Sequence, residues 1–297
     1  MKFKQLKIKN FFEIDENEVC IDFIGDRNGI VNISYEIYEI VEQFFYHIPD
    51  YLIFNNHIPS EASEGHSFEP IEITMIIEDD NGEEICYNSM FFRDNRFVSE
   101  SLLVNNKLYF YYDTDDISIG TSFSQRRTSE DEDYLLDCYN FSKLYGFQKS
   151  IVFVGFNHPV FLNLRDLFSN SLSRVNASNG YDYSPEKLIQ QVSRYPSEVQ
   201  GMVKIFLLWA FPDIQDISND WKTVKRSSVD LPIEFEGTGF RVLLALLPEL
   251  TNCCIRDKCL VIYNPITGLH PLLKNNLFKE IGKKLGKNSQ VILTANL

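Results

Sequence analysis

Residues 260–271 read LVIYNPITGLHP, and this stretch decides the fold. The first four residues form an apolar run of the kind that a buried strand carries. A turn with proline and glycine follows, and Pro271 then opens a segment in which Leu273, Leu277 and Ile281 recur every four residues. That spacing places the three side chains on one face and predicts an amphipathic helix. The stretch therefore predicts a strand, a turn and a helix in succession.

The neighbouring segments repeat this alternation. Residues 242–250 (VLLALLPEL) predict an apolar helix before a strand at 259–263, and residues 290–295 (QVILTA) predict a further strand. Helices that alternate with strands are typical of a parallel sheet. We therefore expect an α/β architecture for this part of the chain.

The first part of the chain is predicted to be rich in strands and to contain one helix. Residues 33–48 carry apolar side chains at helical spacing, with Asn32 as the expected N-cap. The glycine-bearing segment 25–29 then lies between a predicted strand and this helix. The strands are predicted from alternation and β-branched or aromatic content at 1–14, 19–24, 71–77, 83–92 and 107–112.

Composition and charge narrow the function classes. The 297 residues carry a formal net charge of −14, which disfavours a broad nucleic-acid or anionic-membrane surface, because both need clustered Lys and Arg. No stretch approaches the roughly 18 apolar residues of a membrane span. The six scattered cysteines indicate reduced thiols in the cytoplasm. Cys253, Cys254 and Cys259 lack a further ligand at zinc-site spacing, so we expect buried thiols and no metal.

The order of these segments resembles the RecF/SMC-like ABC-type ATPases, including the overcoming-lysogenization and antiviral-defence ATPases. In that family a strand ends in the phosphate loop G-x-N-G-S-G-K-S. Residues 25–33 (GDRNGIVNI) are similar to it in position and retain Gly25, Asn28 and Gly29. The resemblance puts Asn32 at the phosphate-binding lysine and Ile33 at the magnesium-binding hydroxyl.

Three later segments extend the resemblance. Residues 235–241 (FEGTGFR) are similar to the signature S-x-G-T-x-R, and residues 260–271 are similar to the Walker B strand and its G-L-H-P loop. Residues 290–296 (QVILTAN) resemble the strand whose terminal histidine senses the γ-phosphate. The retained positions, which the resemblance assigns to the interface between heads, are Gly237, Thr238, Arg241, Gly268, Leu269, His270 and Pro271. The replaced positions are Phe235 for serine, Tyr263 and Asn264 for the two acids, and Asn296 for histidine.

The resemblance implies an ABC-type head that has lost its chemistry. Phosphoryl transfer depends on positioned charge, and the lysine, both acids and the sensor histidine are all replaced. We expect no catalytic residue and no resident cofactor, although weak ATP binding stays open. The expected head has a strand-rich lobe (1–140), a mostly helical lobe (141–230) and a C-terminal part (231–297), without coiled-coil arms, because no long heptad run is present.

Three functions remain open at this stage. The first is a non-catalytic scaffold or regulatory subunit that pairs with itself or with an active ATPase or nuclease, as in phage defence. The second is a sensor that binds ATP through Gly25, Asn28 and Gly29 without hydrolysing it. The third, a nucleic-acid-binding head, is disfavoured by the acidic charge.

Overall fold

The computed structural model describes residues 2–11, 18–23, 29–33, 37–54, 69–94, 96–120, 129–144, 146–147, 150, 162, 165, 172–176, 183–256, 258–263 and 269–293. Within these residues the chain forms fourteen strands and six α-helices. The strands are β1 (Lys2–Lys9), β2 (Val19–Asp22), β3 (Ile30–Asn32), β4 (Ile71–Glu78), β5 (Glu84–Phe91), β6 (Phe97–Val104), β7 (Lys107–Asp113), β8 (Ile117–Ile119), β9 (Leu172–Asn176), β10 (Ile214–Ile217), β11 (Thr223–Arg226), β12 (Val229–Pro232), β13 (Cys259–Tyr263) and β14 (Gln290–Leu293). The helices are α1 (Tyr38–Phe54), α2 (Ser129–Leu144), α3 (Pro185–Ser193), α4 (Ser197–Ala210), α5 (Thr238–Ile255) and α6 (Pro271–Gly282).

The chain divides into two compact units that are both discontinuous in sequence. The first unit contains residues 1–24 and 39–171, and the second contains residues 25–38 and 172–297. The lobe boundaries at residues 140 and 230 stay a prediction. The chain enters the second unit early, forms β3 there, and returns to the first unit through α1.

The first unit is built on a seven-stranded antiparallel sheet in the order β2-β1-β4-β5-β6-β7-β8. In β4 the side chains alternate between buried and half-buried positions, so that one face of the strand packs into the core. Aromatic rings fill much of this core: Phe3 of β1 meets Phe45 of α1 edge-on at 5.1 Å, and Tyr51 stacks on Phe91 at 4.7 Å. The predicted strands at 71–77, 83–92 and 107–112 are confirmed.

The second unit contains a four-stranded parallel sheet in the order β3-β14-β13-β9 and a small antiparallel sheet, β10-β11-β12. Every residue of β13 and of β14 is buried. Helix α5, which buries twelve residues, packs against α3, α4, β9, β13 and α6. The helices predicted at 242–250 and from Pro271, and the strands at 259–263 and 290–293, are confirmed.

The predicted start of the first helix is wrong. The spacing predicts a helix from residue 33 with Asn32 as its N-cap, but Asn32 is the last residue of β3 and α1 begins only at Tyr38. Asn32 pairs with Leu293 of β14, and this tertiary pairing overrides the local preference for a helix cap. Within the segment 141–230, the described residues form β9 and strands of the small sheet beside the helices α3 and α4.

Candidate functional site

The carboxyl edge of the parallel sheet is the expected location of a ligand site in an open α/β fold. Register places Asn32 beside Leu293, and Ile262 beside both Leu293 and Val175, so these four residues form the last row shared by the four strands. In the next row Tyr263 pairs with Asn176. The row thus offers apolar and neutral side chains and no carboxylate.

Tyr263 occupies the position that the family resemblance assigns to the magnesium-binding acid. It is the last residue of β13 and is 4% exposed. A phenol at this buried strand end cannot bind magnesium as a carboxylate does. The neighbouring position Asn264 and the sensor position Asn296 lie outside the described residues.

Gly29 is the one described residue of the glycine-bearing segment 25–29, and it lies at the amino end of β3. Gly29 precedes the strand and has φ +77°, and a Cβ at this residue would approach the Ser289 carbonyl oxygen to 3.1 Å. Its own carbonyl accepts a hydrogen bond from Val291 N at 3.0 Å. The conformation and close contact explain this glycine without any phosphate. Gly25 and Asn28 lie outside the described residues.

Asn32 and Ile33 do not open a helix, and their assignment to the lysine and hydroxyl positions stays a prediction. Asn32 ends β3, and Ile33 is 3% exposed and donates its N–H to the Leu293 carbonyl at 3.0 Å. The strand-to-helix connection is therefore 33–37, and α1 follows it. Residues 33–40 (ISYEIYEI) contain no glycine and no lysine, and Glu39 lies in the first turn of α1. The carboxylate of Glu39 interacts favourably with the positive end of the helix dipole. A phosphate-binding helix would hold its anion at that same end.

The signature-like segment forms an exposed corner before α5. Gly237 is the N-cap in an extended conformation without a side-chain cap, and Thr238 begins the helix. Both residues are exposed, and Phe235 is 74% exposed. Arg241 is directed into its own unit, where Nη2 donates to the Tyr183 carbonyl at 2.5 Å. The motif is thus divided between an exposed tip and an internal arginine.

An ion-pair network holds this corner in place. The guanidinium of Arg226 donates to both carboxylate oxygens of Glu236, from Nε at 3.0 Å and from Nη2 at 2.6 Å. The Glu236 side chain is 4% exposed, and Arg226 also pairs with Asp213. The hydrogen bond to Glu236 raises the pKa of Arg226. This bidentate pair fixes the backbone beside Phe235. The sequence pattern gave no sign of it, because ten residues separate the partners.

The G-L-H-P segment has a structural role at the start of α6. His270 is the N-cap, and its Nδ1 accepts a hydrogen bond from Leu272 N at 3.3 Å. Pro271 takes the first helical position, which suits a residue without an N–H. Leu269 is buried, whereas Leu272 is 68% exposed. Gly268 lies outside the described residues. The assignment of this segment to an interface stays a prediction.

A buried polar cluster in the first unit surrounds Glu100, which belongs to the strand β6. Glu100 is 1% exposed and accepts hydrogen bonds from Tyr87 Oη at 2.5 Å and from the Ser150 hydroxyl. Burial, followed by the negative charge of Glu100, raises the pKa of Tyr87 well above its usual value. No local motif predicts this cluster, because its members come from three distant segments. Hydroxyl donors allow the carboxylate to be buried.

Two features of the described residues bear on metal binding and on membrane insertion. Among the residues that the structure describes, no three His, Cys, Asp or Glu side chains cluster closely enough to hold a metal ion. Cys253 and Cys259 are buried and Cys254 is half-buried, as expected. In the same part of the chain, the only helix long and apolar enough to cross a membrane is α5, and 67% of it is buried inside the protein. Such burial is typical of a core helix.

Comparisons with known proteins place the fold. No family model matches the sequence, and the curated proteins contain no match. The SMC head domain from Thermotoga maritima is 12% identical, with 100% of this chain and 90% of that chain covered and a TM-score of 0.51. An SMC head bound to the C-terminal winged-helix domain of ScpA is 13% identical, with the same coverage and a TM-score of 0.57. RecF with ATPrS is 11% identical over 99% of this chain and 92% of that chain, with a TM-score of 0.44.

The fold is therefore that of an ABC-type ATPase head of the SMC kind, with an antiparallel sheet and a parallel sheet. The expected fold class is confirmed. Identities this low establish the fold alone, and the chemistry must be argued from the residues.

Proposed function

We propose that this chain is a pseudo-ATPase: a head-type protein that does not hydrolyse ATP and acts as a scaffold or regulatory subunit by binding another protein. Its partner is a second copy of the chain, or an active ATPase or nuclease subunit, in the cytoplasm. A role in antiviral defence rests on the family resemblance. The observation that carries the proposal is the exposed Phe235 on a rigid corner at the signature-like segment.

The replaced chemistry supports the first half of this proposal. Tyr263 stands at the end of β13 without a carboxylate, and residues 33–40 lack the glycine and lysine of a phosphate loop. Phosphoryl transfer needs positioned positive charge and metal ligands, and neither is supplied by these residues. ATP sensing through residues 25–29 is less favoured, because Gly29 lies at the amino end of β3 and ligands bind at the carboxyl end.

The corner itself supports the second half. Aromatic side chains that are exposed and held on a rigid backbone are typical anchors of protein interfaces. Phe235 is followed by the buried Glu236, whose pairing with Arg226 limits the motion of the segment. The related SMC head in complex with ScpA binds a partner protein, so this fold accommodates such a function. The acidic net charge of −14 makes direct nucleic-acid binding the weakest alternative.

Replacing Phe235 by alanine tests the docking role. We expect Phe235→Ala to weaken self-association, or binding to a candidate ATPase or nuclease subunit, by about thirtyfold, which corresponds to an interface hot spot. Sedimentation velocity and a binding titration with the purified subunit measure this. The matched control is Ile205→Ala, because Ile205 is 63% exposed on α4.

Three results contradict the proposal. One is a monomer at all concentrations that binds neither candidate subunit. A second is an equal loss of binding in the Phe235 and Ile205 variants. The third is magnesium-dependent ATP hydrolysis above the buffer control, which removes the pseudo-ATPase assignment whatever the binding result.

A further inference from the structure

Helix α2 leaves one of its sides exposed to solvent, and we call this side the α2 face. Its exposed residues follow one another at intervals of three or one positions, so they share one side of the helix. They are Asp133, Leu136, Asp137, Asn140, Phe141 and Leu144. On the opposite side Tyr139 is 5% exposed, and its ring centre lies 5.6 Å from that of Phe147. The core of the first unit therefore fixes which side of α2 is open to a partner.

The α2 face has an acidic end and an apolar end. The two aspartates lie nearer the amino end of the helix. Phe141 and Leu144 lie at the carboxyl end and are 63% and 82% exposed. Lys143 flanks the face, but its Nζ donates to the Asp115 carbonyl at 3.4 Å. An apolar patch rimmed by polar residues is typical of a protein interaction site.

Helix α6 has an exposed side with the opposite charge, which we call the α6 face. Its exposed residues again share one side of the helix, and they are Leu272, Asn275, Asn276, Lys279 and Lys283. Leu272, at the amino end, is 68% exposed, and the two lysines lie at the carboxyl end. Lys283 pairs with Glu280 at 2.5 Å, but their side chains are 55% and 35% exposed, and surface pairs of this kind contribute little. The lysines therefore stay open to a second carboxylate.

The two faces match in register when the helices lie antiparallel. Positions 133 to 144 and positions 272 to 283 each span eleven residue steps, which is about 16 Å of helix. Placing Leu272 opposite Leu144 brings Lys283 opposite the first aspartate of α2. The same alignment puts Lys279 opposite Asp137, because each lies seven residues from its leucine. One register therefore satisfies both charge pairs and the apolar contact. Antiparallel helices also place opposite ends of their dipoles side by side.

The distribution of charge favours a second copy of the chain as the partner. Helix α2 contains five acidic residues and one lysine, a net charge of −4, whereas residues 256–287 contain seven Lys and Arg and two acidic residues, a net charge of +5. Two copies that each carry −14 repel one another at long range, but salt screens this repulsion beyond about 8 Å, so the local pairs decide the contact. Nucleic acid would also attract the lysines, but it does not account for an exposed leucine in register with α2.

We propose that the α6 face of one copy of the chain binds the α2 face of a second copy, with the two helices antiparallel. The lysines of α6 pair with the aspartates of α2, and Leu272 packs against Phe141 and Leu144. The contact goes beyond the proposed scaffold function, because it does not involve Phe235. It gives the chain a self-association that weakens as salt screens the charge pairs.

Charge reversal on each face, followed by mixing, tests this contact in the full chain. We expect Lys279→Glu with Lys283→Glu to weaken self-association at least about tenfold in sedimentation velocity, because attraction becomes repulsion. Asp133→Lys with Asp137→Lys should weaken it to a similar degree for the same reason. An equimolar mixture of the two variants restores both charge pairs, so it should associate to within about threefold of the unmodified chain. This rescue also shows that both variants are folded.

Lys187→Glu with Arg194→Glu is the matched control, because both residues are exposed cations of the same unit and the net charge changes by the same amount. The contact is overturned if the chain is monomeric at all concentrations, if the control weakens association as much as the α6 variant, or if the mixture associates no better than either variant alone. It is also overturned if the α6 variant loses binding to a DNA duplex while its self-association is unchanged. Phe235→Ala is measured separately, so either proposal can fail without the other.

Discussion

The two main sheets show opposite solutions to burying a strand. In the parallel sheet, β13 and β14 are buried at every residue, and their sequences are apolar except for Gln290 at the start of β14. In the antiparallel sheet, β4 and β5 alternate, and the half-buried face carries a polar row in which Thr74 donates to Asn88 at 2.7 Å and Asn88 donates to Ser101 at 2.9 Å. Sheets covered on both faces need continuous apolar strands, whereas a sheet with one solvated face needs alternation.

The largest loss of stability should come from a substitution that creates a cavity in the parallel sheet. Leu260 of β13 is 0% exposed, and we expect Leu260→Ala to lower the free energy of unfolding by about 2–5 kcal/mol. Leu103 of β6 is only half-buried, so Leu103→Ala should cost about 1 kcal/mol. Urea unfolding of both variants measures the difference. Equal losses of unfolding free energy would show that the strands of the two sheets do not differ in how much their burial stabilises the protein.

A smaller difference in stability is expected between substitutions on the buried face and on the half-buried face of the antiparallel sheet. Tyr87 Oη donates to the buried Glu100, so Tyr87→Phe leaves this carboxylate with one donor fewer and should cost about 1–3 kcal/mol. Tyr111 makes the equivalent type of bond, to Asp113 at 2.9 Å, on the half-buried face. Tyr111→Phe should therefore change stability by less than about 0.5 kcal/mol. Thermal unfolding compares the stability of the two variants. A larger loss in Tyr111→Phe than in Tyr87→Phe would show that the hydrogen bond from Tyr87 does not stabilise the buried Glu100.

The smallest effect is the response of the second unit to alkaline pH. Burial raises the pKa of Cys254 from 9.0 to about 11 and that of Cys259 to about 12. Because the folded state holds these protons more tightly, their contribution to stability is fully present well below pH 9, begins to fall as pH approaches 9 and is lost as pH rises towards 11–12. Between pH 7 and pH 9 each thiol should remove about 0.4 kcal/mol of stability.

Urea unfolding at both pH values measures this loss. Cys254→Ala should reduce the pH dependence, whereas Cys20→Ala should leave it unchanged, because Cys20 is exposed on the first unit. A pH dependence that disappears with Cys20 instead would contradict the burial argument.

Periodicity was sufficient where a segment could form only one structure. The alternation of β4 and β5 and the apolar runs of β13 and β14 predicted those strands with the correct type, and the four-residue spacing after Pro271 predicted α6. The placement of the candidate site was less predictable. The helical spacing that begins at Ile33 predicted a helix from that residue, yet Asn32 ends a strand paired with β14 and α1 begins only at Tyr38. Short strands such as β10, β11 and β12 are set by pairing and leave weak local signals.

The sequence by itself determined the class of fold, the identity of residues 263 and 264 as tyrosine and asparagine rather than acids, and the absence of lysine from residues 33–40, because these depend on residue type and order. Only the tertiary structure decided that Gly29 lies at the amino end of its strand and that Arg226 fixes the corner at Phe235. Each of these brings together residues that are far apart in the chain, and no local pattern specifies such distances. The head-type fold is thus recognisable from the residues, but the surfaces proposed for binding depend on the folded arrangement.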